Sequence, residues 1–448
     1  MNITLNLKKG LDLHLAGAPT GTPARAETVK PHLVGVVPDD FPGLALKPVV
    51  KEGDAVAKGS AILRDKQHPD VAVTSPVAGV IKEIVRGERR KLERIVITPN
   101  DSADAVKFDT SATDAATVRK LLQESGLWVM MRQRPYAIVA LPDSTPRDIF
   151  VSSLDTAPLA PDLGQILAPH ADELKAGVAL LSKLTQGTIY IGRRNGSPIA
   201  DVPGATMVDI TGPHPSGNAG VIAANIKSVN KGETIWTLDG ITLARIGHLA
   251  LNGTLDTDCC IALDGSEVEK PEYINTVEGA DIESIITGRL IKTEHHRRII
   301  SGNPLSGVAV KADGFLRYPY TQVTVIPEGD DVVEFMGWAS ISPKKMSTSR
   351  SFPGHFLFKK LFKPDARLLG GRRAMIMSGE YDKVVPMDIM TEYLIKAILS
   401  KNIEEMEALG IYEVAPEDFA VAEYVCTSKL PLQSIVAQGL DYLRKELE

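Results

Sequence analysis

Apolar and polar positions change rhythm several times along the chain. Residues 1–7 alternate apolar and polar as a strand does, and the first hundred residues continue as short apolar runs broken by Gly and Pro, a β-rich pattern. From about Ser111 the spacing turns helical. Asp114 is placed to cap a helix whose apolar side is Val118, Leu121 and Leu122, and Gly126 is placed to end it. The pattern then predicts a buried strand at Ile149-Phe150-Val151, a helix over 172–184 and a strand over 188–191 after Gly187. A strand over 207–210, a helix after Asn218, a strand near Ile235-Trp236 and a helix over 239–251 follow.

Strands alternating with helices in this way predict an open α/β sheet of Rossmann type. Residues 257–288 break the alternation. There a short apolar strand through Cys260 and Asp264 meets a turn at Gly265, a stop at Pro271, a polar linker and a one-sided helix of Ile282, Ile285 and Ile286. This segment resembles a soluble-ligand-binding β-grasp (SLBB-like) domain, a module of electron-input subunits in respiratory complexes. In the β-rich segment, 50–59 and 74–81 resemble the two halves of a biotinyl/lipoyl hammerhead, with Gly53 and Gly59 suited to tight turns. Carrier domains of that kind modify a lysine at a hairpin tip, and Lys66 is the candidate here. It follows Gly53 too soon, and Gln67-His68-Pro69-Asp70 stretches what comes next, so a solvated turn lysine is the plainer reading. The expected fold class is mixed α/β and β, with four domains: a barrel-sandwich over 1–101, a Rossmann-like unit over 102–254, a β-grasp unit over 255–330 and a helical unit over 331–448.

Composition bounds the function. At 448 residues and 44% apolar content the chain can bury several cores. Fifty basic residues against 56 acidic ones give a net charge of -6, which argues against nucleic acid as the main partner. No apolar run approaches bilayer-spanning length, and residues 1–7 lack the apolar block of a signal peptide, so a cytoplasmic location is expected. Cys259, Cys260 and Cys426 cannot build a disulfide framework. The nine histidines show no metal-ligand spacing with Cys, Asp or Glu.

Two absences narrow the chemistry further. A flavin or nucleotide site needs a glycine-rich turn, because only glycine lets backbone N–H groups approach a phosphate at a helix start. The corresponding turn, 126–136, is filled by Trp128, Met130, Met131, Arg132, Arg134 and Tyr136, so bound FMN is not expected. Gly212-Pro213-His214-Pro215-Ser216-Gly217 opens a helix, yet its prolines remove donors. An iron–sulfur loop of the C-x2-C-x2-C-x3-C-P kind, anchored on Pro386, falls on Met375, Ser378, Tyr381 and Val385. A second frame ending at Cys426 falls on Pro416, Phe419 and Ala422. One cysteine cannot hold a cluster, so none is expected.

Four motifs are spread along the chain: Lys8-Lys9-Gly10-Leu11-Asp12-Leu13, Ser125-Gly126-Leu127-Trp128 with 132–135, the 212–217 turn, and Gly337-Trp338 with Gly354-His355-Phe356-Leu357. By these residues nearly the whole chain resembles the NqrA family, a component of sodium-translocating NADH:quinone oxidoreductases. The resemblance implies a peripheral subunit on the cytoplasmic face of the bacterial inner membrane. Its partners would be the other subunits of a six-subunit pump that passes electrons from NADH to ubiquinone while moving sodium ions outward. It also implies a role in quinone handling without the flavin and cluster residues of related input subunits, among them the NADH-binding subunit of complex I and the input subunit of Rnf complexes.

A quinone ring needs apolar or aromatic walls and one or two donors for its carbonyl oxygens. In the 126–136 loop Trp128, Met130, Met131 and Tyr136 offer walls, and Arg132 or Arg134 donors; Phe41 joins them as an exposed aromatic in the Phe41-Pro42-Gly43 turn. A competing reading makes these side chains the plug of an abandoned flavin pocket, with the arginines paired to acids, and the chain a cofactor-free scaffold. His295-His296-Arg297-Arg298 reads as a basic patch or a solvated turn. Residues 347–350 and 356–363 mix aromatics with lysines, which fits a membrane or partner face as well as a helix packed on its own domain.

Overall fold

The computed structural model describes residues 2–332, 342–343, 345–348, 352–357 and 360–447. Gly337-Trp338 and residues 349, 350, 358 and 359 of the two aromatic–lysine clusters lie outside them. At the centre is a seven-stranded sheet in the order Ile3–Asn6, Thr206–Thr211, Ile189–Arg194, Ile149–Ser152, Ile235–Asp239, Arg132–Arg134, Ile138–Val139. The first five strands are parallel and the last two antiparallel.

Strand period divides this sheet between two cores. Ile149 and Val151 belong to the core shared with the N-terminal barrel, whereas Phe150 between them belongs to the core shared with the C-terminal helices. Helices Ala171–Leu181 and Gly240–Asn252 pack on the first face at backbone contact. A Cβ at Gly247 would stand 1.7 Å from the Glu173 carbonyl oxygen, and one at Gly177 2.4 Å from that of Leu243, so larger residues would force these helices apart. The helix Ala115–Ser125 forms as its pattern predicts. Asp114 accepts from the N–H groups of Ala116 (2.9 Å) and Thr117 (3.0 Å), and Gly126 ends it at φ 81°.

The N-terminal region is a barrel-sandwich of a four-stranded and a three-stranded sheet. Lys66 is exposed in the turn after Ala61–Asp65; the buried neighbour Asp65 shapes that turn by accepting from the N–H groups of Ala45 and His68. The N-terminal region is less self-contained than 1–101 implies. Ile3–Asn6 pairs with Thr206–Thr211 in the central sheet, and Glu27–Thr28 pairs with Glu272–Val277. Alternation announces a strand without saying which sheet receives it.

The remaining sheet has six strands, in the order Val308–Val310, Arg297–Ser301, Gln322–Pro327, Asp258–Asp264, Glu272–Val277, Glu27–Thr28. Helix Ile282–Ile286 buries its three isoleucines as expected. The supposed polar linker after Pro271 is instead the strand Glu272–Val277, antiparallel to Asp258–Asp264. Tyr273, Ile274 and Thr276 are buried there, and aromatic and β-branched residues outweigh the polar ones between them. C-terminal helices Thr391–Ser400, Ile403–Ala408, Ala420–Val425 and Leu432–Leu447 cover the other face of the central sheet through helix Ala219–Ile226. No helix among the described residues is long and apolar enough to cross a membrane.

Candidate functional site

From Ile149–Ser152 the chain moves outward through Ile189–Arg194 to Thr206–Thr211, then returns to the opposite side of Ile149–Ser152 as Ile235–Asp239. The carboxyl ends of those two neighbours therefore diverge, and open α/β sheets bind ligands in such a crevice. A cavity of about 610 Å³ lies there, a size suited to a flat organic ligand. Its walls come from every part of the molecule: Leu154 and Asp239 at the carboxyl edge of the sheet, Arg132 and Tyr136 of the filled loop, Tyr318 and Gln322 of the β-grasp unit, and Glu417 and Arg444 of the helical tail.

The candidate residues separate into two groups. Met130, Arg132 and Tyr136 line the cavity, and so does Arg134. Trp128 and Met131 do not; both are fully buried. Trp128 meets Trp236 edge-on at 5.2 Å and donates its indole N–H to the Ala140 carbonyl (2.7 Å), so its polar atom is satisfied inside the core. Phe41 is buried at 7% exposure, not exposed as its turn suggested, and stacks on Tyr318 at 6.1 Å. It lines a separate small void of about 60 Å³ behind Tyr318.

Arg134 is locked. It is 3% exposed and donates from Nη1 to Asp418 Oδ2 (2.7 Å) and to the Glu413 carbonyl (2.7 Å). Burial disfavours its charge, but the carboxylates of Asp418 and Glu417 outweigh that and raise its pKa above the usual arginine value. Asp418 also accepts from Asn218 Nδ2 (3.0 Å) at the start of helix Ala219–Ile226. The Arg134 guanidinium fills the space a Cβ on Gly220 would need. The start of helix Ala219–Ile226, where backbone N–H groups suit an anion, is thus occupied by the protein's own ion pair.

Arg132 behaves differently. Its Nη2 donates to the Asp40 carbonyl (2.5 Å) and its guanidinium lies 5.8 Å from the Tyr318 ring centre, but Nη1 is buried without a hydrogen-bond partner. Burial pushes its pKa down. His214, which also lines the cavity, holds a second orphaned atom. It is 4% exposed, its Nδ1 faces Thr156 Oγ1 at 3.1 Å, and its Nε2 has no partner. Burial lowers its pKa to about 4, against a smaller opposing pull from Asp418, so the imidazole is neutral at pH 7. A neutral imidazole presents Nε2 as a donor or an acceptor according to tautomer.

Sequence reasoning missed Tyr318. Its hydroxyl donates to the Met130 carbonyl (2.8 Å), and Asp40 accepts from its N–H (3.2 Å) while pairing with Arg317. The only available signal was the aromatic–Pro–aromatic run Tyr318-Pro319-Tyr320 between two strands. The 295–298 cluster is not a basic patch: His295, His296 and Arg298 pair with Asp331, Asp330 and Glu328.

The iron–sulfur frames fold into two side-chain plugs. In the cluster-binding pattern the fourth cysteine of one frame serves the other frame's cluster, which would group Cys426 with 375, 378 and 381. Here the Tyr381 hydroxyl lies 2.8 Å from Cys426 Sγ, and Ser378 donates to Glu392 (3.1 Å). In the complementary set Val385, Phe419 and Ala422 are buried apolar core, and Pro416 is half-buried at the cavity. One thiol among methionine, serine and tyrosine is no donor set for a cluster. Among the described residues no group of three or more His, Cys, Asp or Glu could hold a metal ion.

Three family models match in succession: the NqrA N-terminal barrel-sandwich hybrid domain over 5–100, the NqrA second alpha/beta domain over 113–255 and the NQRA C-terminal domain, of SLBB type, over 260–312. The NqrA subunit of the Na(+)-translocating NADH-quinone reductase from Neisseria meningitidis serogroup B is 36% identical over 458 residues, covering 99% of this chain and 100% of that protein. The chain belongs to the NqrA family. The corresponding NqrA subunit from Photorhabdus laumondii is likewise 36% identical over 450 residues, covering 99% of this chain and 100% of its own. Family membership accounts for the mixed α/β architecture with a barrel-sandwich at its N-terminal end and an SLBB-type unit toward its C-terminal end. A chain of an NAD+-reducing [NiFe]-hydrogenase covers 49% of this one at 14% identity and TM-score 0.34, too slight a likeness to carry an argument.

Proposed function

We propose that this chain is the NqrA subunit of a sodium-translocating NADH:quinone reductase, and that its cavity at the sheet's switch point takes the quinone headgroup. In this reading the chain carries neither FMN nor an iron–sulfur cluster. It is a Rossmann-like unit with a cluster-free helical tail, held peripherally on the cytoplasmic face by the membrane subunits of a six-subunit pump. The subunit role is supported by full-length similarity to relatives of that name. The quinone role is supported by one observation above others: the cavity is lined by Arg132 and His214, each with a buried polar atom that lacks a partner (Nη1 and Nε2), beside the aromatic side chains of Tyr136 and Tyr318. Leaving such atoms unsatisfied is costly, so a small side-chain rotation that presents either one to an acceptor oxygen of a ligand is favoured. Arg132 would count most as the quinone oxygens gather charge during reduction to quinol, with electrons arriving from the rest of the complex.

The test is quinone affinity of the folded protein. Arg132→Ala is expected to weaken a short-chain ubiquinone by about tenfold or more, the scale of a hydrogen bond to a charged donor. Unchanged affinity in Arg132→Ala combined with His214→Gln would move the site elsewhere. It would favour the second reading, a docking scaffold without quinone chemistry, which the commitment of Trp128, Met131, Phe41 and Arg134 to core and ion pair already supports in part.

A further inference from the structure

The segment from 343 to 373 holds nine lysines and arginines against one aspartate, in a chain whose net charge is -6. Its single carboxylate, Asp365, is engaged by Arg367 at 2.7 Å. The same region concentrates exposed apolar side chains: Leu361 is 62% exposed, Leu368 56% and Ile376 59%, with Leu369 and Met377 also open to solvent. From 368 to 377 the order is an apolar pair, two glycines, an arginine pair, then Ala374, Met375 and the apolar Ile376 and Met377. This strap has no helix or strand. It is fastened from beneath: the Arg373 N–H donates to the Ser428 carbonyl (2.9 Å), and Ser428 Oγ donates to the Ala374 carbonyl (2.9 Å). Lys429 lies against Gly370 and adds a further cation. The Arg372 and Arg373 side chains are exposed and make no ion pair among the described residues.

We propose that this strap docks on an anionic lipid surface, with Leu368, Leu369, Ile376 and Met377 entering the headgroup boundary while Arg372, Arg373 and the neighbouring lysines meet lipid phosphates. Apolar side chains flanking a basic pair suit an interface that is apolar below and negatively charged above. A protein partner fits less well. Arginine and methionine are enriched in protein interfaces, but lysine is depleted there, and Lys360, Lys363 and Lys429 adjoin the apolar positions; no aromatic anchor stands in the strap. The proposal holds whether or not the cavity binds quinone.

The test is flotation of the purified full-length chain with vesicles of phosphatidylcholine alone or mixed with phosphatidylglycerol. Binding is expected only to the anionic vesicles and should fall steeply as salt is raised. Arg372→Gln with Arg373→Gln should weaken it by about tenfold to thirtyfold. Ile376→Ser with Met377→Ser should weaken it while leaving the salt dependence in place; all four positions are exposed, so the fold is retained. The proposal is overturned if the chain ignores anionic vesicles, binds both kinds equally, or is unaffected by the arginine pair. It is also overturned if the chain floats only when the complex's membrane subunits are present, which would assign the strap to a protein partner.

Discussion

The hydroxyl of Tyr381 lies 2.8 Å from Sγ of Cys426, 45 positions further along the sequence, and both side chains are buried. The Leu430 N–H also points at that sulfur, at 3.3 Å. This contact fastens the 371–380 segment and the Tyr381–Lys383 turn to the helices that follow.

Tyr381→Phe should therefore cost stability without touching any ligand. Removing one partner of a buried hydrogen bond costs about 1–2 kcal/mol, and the sulfur keeps the Leu430 N–H, which places this variant at the low end. Urea unfolding of wild type and variant reads the difference. An equal midpoint would mean that the contact carries no net stability.

Arg134 and Asp418 make a stronger case. Replacing Arg134 by Met leaves the Asp418 carboxylate buried with only Asn218 and the Ala415 N–H as partners, a loss of roughly 3–5 kcal/mol. Arg134→Met with Asp418→Asn should lose less than the two single variants added together. A double-mutant cycle in urea checks this, and strict additivity would mean that the pair does not act as a unit.

His214 sets an acid limit. Its folded pKa, about 4, lies below the ordinary value of 6.5, so between those values the unfolded chain binds a proton that the folded one refuses. Stability attributable to His214 is accordingly intact above pH 6.5 and declines as pH falls toward 4, by up to about 3 kcal/mol over the whole span. His214→Gln should flatten that decline while changing stability little at pH 7.5. Parallel acid profiles of variant and wild type would assign the acid limit to other groups.

Much of the fold was legible because its signals are local. Asp114, the Val118–Leu121–Leu122 spacing and Gly126 state the first helix outright, and Ile149-Phe150-Val151 states a strand with two buried faces. Where the reading failed, the missing information was the partner. Trp128 and Met131 looked like walls because nothing in the loop reveals that Trp236 and Ala140 wait to enclose them. Arg132 and Arg134, two residues apart, were equivalent in sequence. Only the approach of Asp418 from the C-terminal helices binds one and leaves the other with an unpartnered Nη1. Tyr318 was invisible for the same reason: its role depends on Asp40, Met130 and Phe41, all distant along the chain.

The edge strand Ile3–Asn6 gives the protein a problem of timing during its synthesis. Asn6 and its hydrogen-bonded partner Thr211 are separated by 205 residues, and a ribosome adds roughly 5–20 residues per second, so this strand waits roughly 10–40 s for the strand it completes. Through that interval its backbone N–H and C=O groups and the side chains of Ile3 and Leu5 have no native partner, a condition that invites pairing with a neighbouring nascent chain. Whatever escorts the emerging polypeptide has a long task at this strand.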